Sequence, residues 1–232
     1  MRSPYGKGLL HGVPIALGYL SVSFGLGIKA SQLGLPVWAA VLTSLTNLTS
    51  AGQAAGLDII AAAGTLVEMI LTQLVINLRY SMMGFSLSQK LDGTFTTSRR
   101  LLVSFGITDE VYAVAVSQPG RLTASYMLGL ISLPVVGWTL GTLLGGVAGQ
   151  LLPASLTAAM GLVLYGMFLA IILPPARKER SVLLVVLLAA AFSVVCKYLL
   201  PFISGGFAVI ISALLAAVIG AWLFPIKEEV AE

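Results

Sequence analysis

The chain has 232 residues, 58% of them hydrophobic and only 9% charged, and its mean hydropathy is +1.00. A soluble domain carries roughly 25% charged residues, so a water-soluble fold would leave a largely apolar surface in water, which is strongly unfavourable. The net charge of +4 does not signal nucleic-acid binding, because the basic residues sit between apolar runs in the manner of membrane loops.

The composition therefore describes an all-α, polytopic helical membrane protein in a lipid bilayer. A crossing needs roughly 20 apolar residues, which leaves room for about seven to eight apolar helical segments. Residues 1–232 read as a single transmembrane domain without linker or tandem repeat.

The N-terminus is basic (Arg2, Lys7), and the first apolar stretch covers 9–28. Its glycines, its Pro14 and the poor cleavage site at Lys29-Ala30-Ser31 favour a retained span over a signal peptide. The second stretch, 36–64, is interrupted by Thr46-Asn47-Leu48-Thr49-Ser50 and by Gly52 and Gly56, and Gln53 would offer amide contacts in an unwound segment there. The third, 65–89, concentrates Glu68, Thr72, Gln73, Asn77, Arg79 and Tyr80. A loop with Lys90, Arg99 and Arg100 leads to the fourth, 101–118, which holds Thr108-Asp109-Glu110 near its middle. The fifth, 123–151, contains Pro134, expected to kink it, and Gly137, Gly141, Gly145 and Gly149 at intervals of four. On a helix those glycines form a stripe for close packing, with a permeation groove as the alternative. The sixth stretch, 157–174, is followed by Arg177-Lys178-Glu179-Arg180, and the last two, 181–200 and 204–224, are separated by Pro201 and Gly205-Gly206.

Loop charge constrains how these stretches thread the membrane. Placing all three basic loops on the cytoplasmic side requires an even number of crossings between each pair. Three stretches precede the Lys90–Arg100 loop and three lie between it and Arg177, so the parity fails twice. Either that loop lies outside, or one stretch in each half is broken or re-entrant. The stretches most interrupted by polar residues, 36–64 and 101–118, fall one in each half. Non-helical backbone at membrane depth is tolerated only where it is buried in protein or lines a wet cavity. Interrupted segments in two halves of a chain point to a transporter's site.

A charge at the centre of a membrane helix costs about 2.5–3.5 kcal/mol on insertion scales, so such residues face the bundle interior. On a straight third helix, Gln73, Asn77 and Tyr80 share one face while Glu68, Thr72 and Arg79 share another, at about 100° per residue. Asn77 and Arg79 therefore serve one site only if that helix is broken. Arg79 either pairs across the bundle with Asp109 or Glu110 or snorkels to the interface. Asp109 and Glu110 form part of a buried site or mark a short helix end at an interface. One cysteine and one histidine exclude multi-Cys and HExxH metal sites, and the absence of GxxxxGK[ST] excludes a P-loop. Paired-acid catalysis by Asp109 and Glu110 is the remaining enzymatic option; the reading is no enzyme, cofactor or metal.

The run Leu74-Val75-Ile76-Asn77-Leu78-Arg79-Tyr80, followed about thirty residues later by Thr108-Asp109-Glu110-Val111-Tyr112-Ala113, resembles the AzlC family, the large subunits of branched-chain amino-acid exporters. Gly12-Val13-Pro14-Ile15-Ala16-Leu17-Gly18-Tyr19 and Leu140-Gly141-Thr142-Leu143-Leu144-Gly145 look like its pattern too, and the resemblance covers residues 8–225. Where that family tends to carry a GASQ-like run, Thr49-Ser50-Ala51-Gly52-Gln53 stands here.

The resemblance implies proton-coupled export of valine, leucine or isoleucine from the cytoplasm, across the inner (plasma) membrane. It also implies a small hydrophobic AzlD-type membrane subunit as partner. Loop charge puts both termini on the cytoplasmic side. The expected substrate-binding or coupling residues are Asn77, Arg79, Tyr80, Thr108, Asp109 and Glu110, with Gln53 and Glu68 beside them. Arg79 suits a substrate carboxylate and one acid suits its ammonium, leaving the other acid, or Glu68, for the proton. The alternative is a non-transporting assembly or regulatory subunit.

Overall fold

The computed structural model describes residues 3–153, 155–156, 166, 168–169 and 172–225. The named elements among them are helices: α1 (Pro4–Gln32), α2 (Val37–Thr46), α3 (Ser50–Ala61), α4 (Leu66–Ser88), α5 (Thr97–Phe105), α6 (Asp109–Val116), α7 (Ala124–Leu151), α8 (Arg180–Leu199) and α9 (Gly205–Leu223). Among the described residues, four helices are long and apolar enough to cross a membrane, namely α1, α7, α8 and α9. The expected seven to eight segments are thus not all met as continuous spans, and the stretch 157–174 lies largely outside the described residues.

The chain packs as two compact units, one from the described residues of Met1–Leu57 and Asn77–Leu164, the other from those of Asp58–Ile76 and Tyr165–Glu232.

The first unit is built on α1 and α7. Their matched positions rise together: Tyr5 lies against Gly129, Ala16 against Gly137, Phe24 against Gly145 and Ser31 against Gly149, so the two helices run parallel. A Cβ on Gly137 or Gly141 would overlap the backbone carbonyl of Ala16 or Leu20. The four-residue glycine stripe therefore serves close packing, in which backbone dispersion contacts replace the missing side chains.

Two short helix pairs attach to this core. α2 starts beside Gly146, where Val37 packs, and runs to Thr46. The extended residue Asn47 ends it, and α3 begins at Ser50. Ser44 and Gln53 are hydrogen-bonded at 2.6 Å although nine residues apart in sequence. On one continuous helix they would stand about 13 Å apart along the axis, so the chain reverses at the break. The second pair enters and leaves at the opposite end of α7. Thr94 accepts from the Ala124 N–H at 2.9 Å as the chain approaches α5. After the break at Gly106–Thr108, α6 runs back until the Lys90 ammonium donates to the Val116 and Gln118 carbonyls. An isolated bridge between Leu91 and Leu122 joins the same loops. There the Thr94 hydroxyl, and then its N–H, hold the Asp92 carboxyl below the usual carboxylate range.

Threonines cap these turns. Thr96, Thr108 and Thr123 each accept from the N–H three residues on, satisfying donors that a helix start leaves open. α2, α3, α5 and α6 have 10, 12, 9 and 8 residues. At ~1.5 Å per residue each reaches only about half of a ~30 Å hydrocarbon core. The breaks lie between the first quarter and the middle of α7: Gly106 packs on Ile131, and Gln53, just past the other break, bonds Trp138. The start of α1 lies beside the start of α7, through Tyr5–Ser132 at 3.2 Å and His11–Tyr126 at 2.9 Å. Lys7 and the Lys90–Arg100 loop thus share one end of the unit. Within this unit α5 and α6 form a short hairpin, and α2 and α3 reverse in the same way.

In the second unit, α8 and α9 pack on each other, with Val185 against Gly220. Glu68, in the first turn of α4, is buried and caps α9: its Oε1 accepts from the Ser204 hydroxyl at 2.5 Å and the Gly206 N–H at 2.8 Å. An anionic side chain at a helix start complements the helix dipole. The Thr72 and Ser212 hydroxyls are buried and have no hydrogen-bond partner among the described residues.

Candidate functional site

The two helix breaks meet at one cavity. It has a volume of about 250 Å³ and is lined by Thr46, Asn47, Leu48 and Thr49 from the first break, Ser104, Phe105 and Ile107 from the second, and Asn77 and Tyr80 from α4. At ~30 Å³ per water, that is room for about eight waters or one small metabolite. No lining side chain is charged, yet the walls are electrically structured. A helix end leaves carbonyls unpaired and carries about half a negative charge, and a helix start exposes N–H groups with about half a positive charge. The ends of α2 and α5 and the approach to α3 all line this space. Asn47 leaves α2 extended, and in the last turn the Thr46 hydroxyl turns back to donate to the Leu42 carbonyl at 2.8 Å. Thr49 bridges the site by donating to Asn77 Oδ1 at 2.7 Å while accepting from the Gly52 N–H at 3.3 Å.

α4 is unbroken from Leu66 to Ser88, so Asn77 and Arg79 point apart. Asn77 and Tyr80 line the cavity, whereas Arg79 does not. The Arg79 guanidinium lies over the Tyr80 ring, 5.1 Å from its centroid, and pairs with Asp109 at 2.8 Å. Both partners keep nearly half of their side-chain surface, 46% and 49%. The ion pair thus stands beside the cavity, attached to it through Tyr80 on one side and through the chain at Ile107 on the other.

Glu110 has a different partner from Asp109. Its Oε2 lies 2.6 Å from the Tyr19 hydroxyl, which also stands 2.5 Å from Thr108 Oγ1. Tyr19 is buried, and its ring meets Trp138 edge-on with centroids 5.2 Å apart. The Trp138 indole donates to Gln53 Oε1 at 3.0 Å, Gln53 donates to Ser44, and Ser44 lies 2.6 Å from Thr142 Oγ1. Gln53, 1% exposed, spends both ends of its amide in this network and holds the two arms of the first hairpin together. Glu68 has partners of its own in the other unit.

Sequence reasoning missed Tyr19, Trp138, Ser44 and Thr142. A single hydroxyl or ring in an apolar run carries no periodic signal, and although Tyr19 and Thr142 stood in quoted motifs, nothing there marked them as polar partners. The residues flanking the second break, Ser104, Phe105 and Ile107, could have been found from the cap at Thr108.

With this geometry in view, comparison with known proteins places the chain. The family model described as AzlC protein matches residues 14–152. The chain belongs to the AzlC family. Among the relatives of this AzlC-family chain is the inner membrane protein YgaZ of Escherichia coli, 28% identical over 203 residues, 84% of this chain and 82% of YgaZ. An uncharacterized membrane protein of Archaeoglobus fulgidus is 31% identical over 172 residues, 73% of this chain and 75% of that one. One from Helicobacter pylori is 26% identical over 144 residues, 60% and 62% of the two chains. No solved structure matches the chain. Family and relatives together give this AzlC-family chain a transport-related role in a membrane.

Proposed function

We propose that the chain is the large subunit of an exporter of branched-chain amino acids, with its substrate site in the cavity where the two helix breaks meet. The observation that carries this reading is the convergence of both breaks, with their opposed helix ends, on one space of metabolite size. A zwitterion needs a negative site for its ammonium and a positive site for its carboxylate. The carbonyl ends of α2 and α5 supply the first, and the N–H groups opening α3 supply the second, without burying a net charge. Leu48, Phe105 and Ile107 offer apolar surface to a branched side chain. Arg79 and Asp109 meet the substrate at the flank: an entering zwitterion exchanges one ion pair for two, its carboxylate on the guanidinium and its ammonium on Asp109.

The same reading makes the protein a secondary transporter driven by protons in the inner membrane, working with a small AzlD-type subunit. The family resemblance supports these points. Here α1 and α7 cross, and α4 is taken as a crossing on its 23-residue length, although it is less apolar than the four spans above. With 157–174 counted as a crossing on its sequence alone, every basic loop falls on the cytoplasmic side. The two hairpins are then half-depth, and both termini are cytoplasmic. The test is efflux of preloaded labelled leucine from cells carrying the chain with and without the small subunit. Export that depends on both chains and is competed by valine and isoleucine is expected. No difference from cells lacking the chain contradicts the proposal.

A further inference from the structure

The two adjacent acids at the start of α6 have different surroundings, and the difference separates their roles. Asp109 is held by Arg79 at 2.8 Å. Among the described residues no cation pairs with Glu110, whose partner is the Tyr19 hydroxyl at 2.6 Å. Tyr19 is only 7% exposed, and its one phenolic proton faces two acceptors, Glu110 Oε2 and, at 2.5 Å, Thr108 Oγ1. Thr108 is the N-cap of α6, and the residue before it, Ile107, is part of the cavity wall.

We propose that Glu110 is the site where the coupling proton binds, and that Tyr19 is the positioning residue that passes its charge state to the cavity. This rests on the exporter reading above. While Glu110 is ionised, it is the stronger acceptor, and the Tyr19 hydroxyl donates its hydrogen bond to it. When Glu110 binds a proton from water it becomes neutral, and the phenolic proton turns to Thr108. The hydroxyl of Thr108 already accepts the Val111 N–H, so the turn alters the cap at the second break, and with it the wall at Ile107. Releasing the proton on the other side of the membrane restores the first arrangement. The charged and titratable groups around Glu110 are Arg79 and Tyr80 on α4, Tyr19 on α1 and Asp109 on α6 itself; α5 bears Arg99 and Arg100 only in its first turn, and α7 presents the uncharged Trp138. Arg79 is committed to Asp109, which leaves Glu110 free to change charge without breaking an ion pair.

The test uses the chain with its small subunit, reconstituted in vesicles, with two readouts for labelled leucine: exchange against unlabelled leucine without a gradient, and accumulation driven by an imposed pH gradient. Glu110→Gln and Tyr19→Phe are expected to keep exchange and lose gradient-driven accumulation. Asp109→Asn is expected to lose both. Gradient-driven accumulation by Glu110→Gln with the wild-type pH dependence overturns the proposal. So does loss of exchange together with accumulation in Glu110→Gln when the protein elutes as wild type, because Glu110 is then a substrate ligand. Wild-type exchange without any pH-driven accumulation overturns the coupling proposal alone. Absence of wild-type leucine exchange overturns the exporter reading first.

Discussion

Arg79 and Asp109 hold each other at 2.8 Å with nearly half of each side chain exposed. A pair this open is worth only about 0–1 kcal/mol to stability, so breaking it leaves the amount of inserted protein near the wild-type level. Its value lies in recognition. A charge-assisted hydrogen bond contributes about 1.5–3 kcal/mol, and Arg79→Lys keeps the charge while losing the planar fork. Asp109→Asn keeps the shape and loses the charge. Each should lower leucine efflux roughly ten- to hundredfold at unchanged blot intensity. Near-normal efflux by both would make the pair structural. At this scale the sequence was partly legible, because an arginine and two acids inside apolar runs announce themselves by their desolvation cost. Which acid the arginine takes was not legible, since Asp109 and Glu110 differ by one position and only the packing of α1 beside α6 gives Glu110 to Tyr19.

Helix breaks and helix packing belong to the next scale. The polar run at 46–50 and the Thr-Asp-Glu at 108–110 marked both breaks because such residues stop a helix and cap the next one. Hydropathy could not tell a broken span from a hairpin, and the Ser44–Gln53 and Lys90–Val116 contacts that decide it join residues with no sequence relation. The glycine stripe was legible as packing, though the partner was not. α7 receives the backbone of α1, running parallel to it, so the fit is between main chains. Gly141→Ala places a Cβ against the Leu20 carbonyl and the Ser23 hydroxyl, while Gly18→Ala meets nothing within 4 Å. Overpacking costs about 1–3 kcal/mol, so Gly141→Ala should lower the thermal midpoint of the detergent-solubilised protein and Gly18→Ala should leave it unchanged. Equal midpoints for the two would contradict the close α1–α7 contact.

For the whole molecule, composition fixes the solvent, and loop charge constrains the parity of the crossings. In the topology proposed above, the two short hairpins reach only half-depth. What sequence could not supply is the meeting of the two breaks, because helical periodicity describes the faces of one helix and says nothing about where two interruptions lie in space. That meeting is the central claim, and thiol labelling tests it directly. In a Cys196→Ser background, single cysteines at Thr49 and Ser104, one from each break, should react with a small water-soluble thiol reagent, and leucine should slow both reactions. A cysteine at Tyr198, exposed on α8, should show no leucine effect. Protection at both breaks and not at Tyr198 is the predicted result; labelling that leucine does not change at either break would contradict a shared substrate site there.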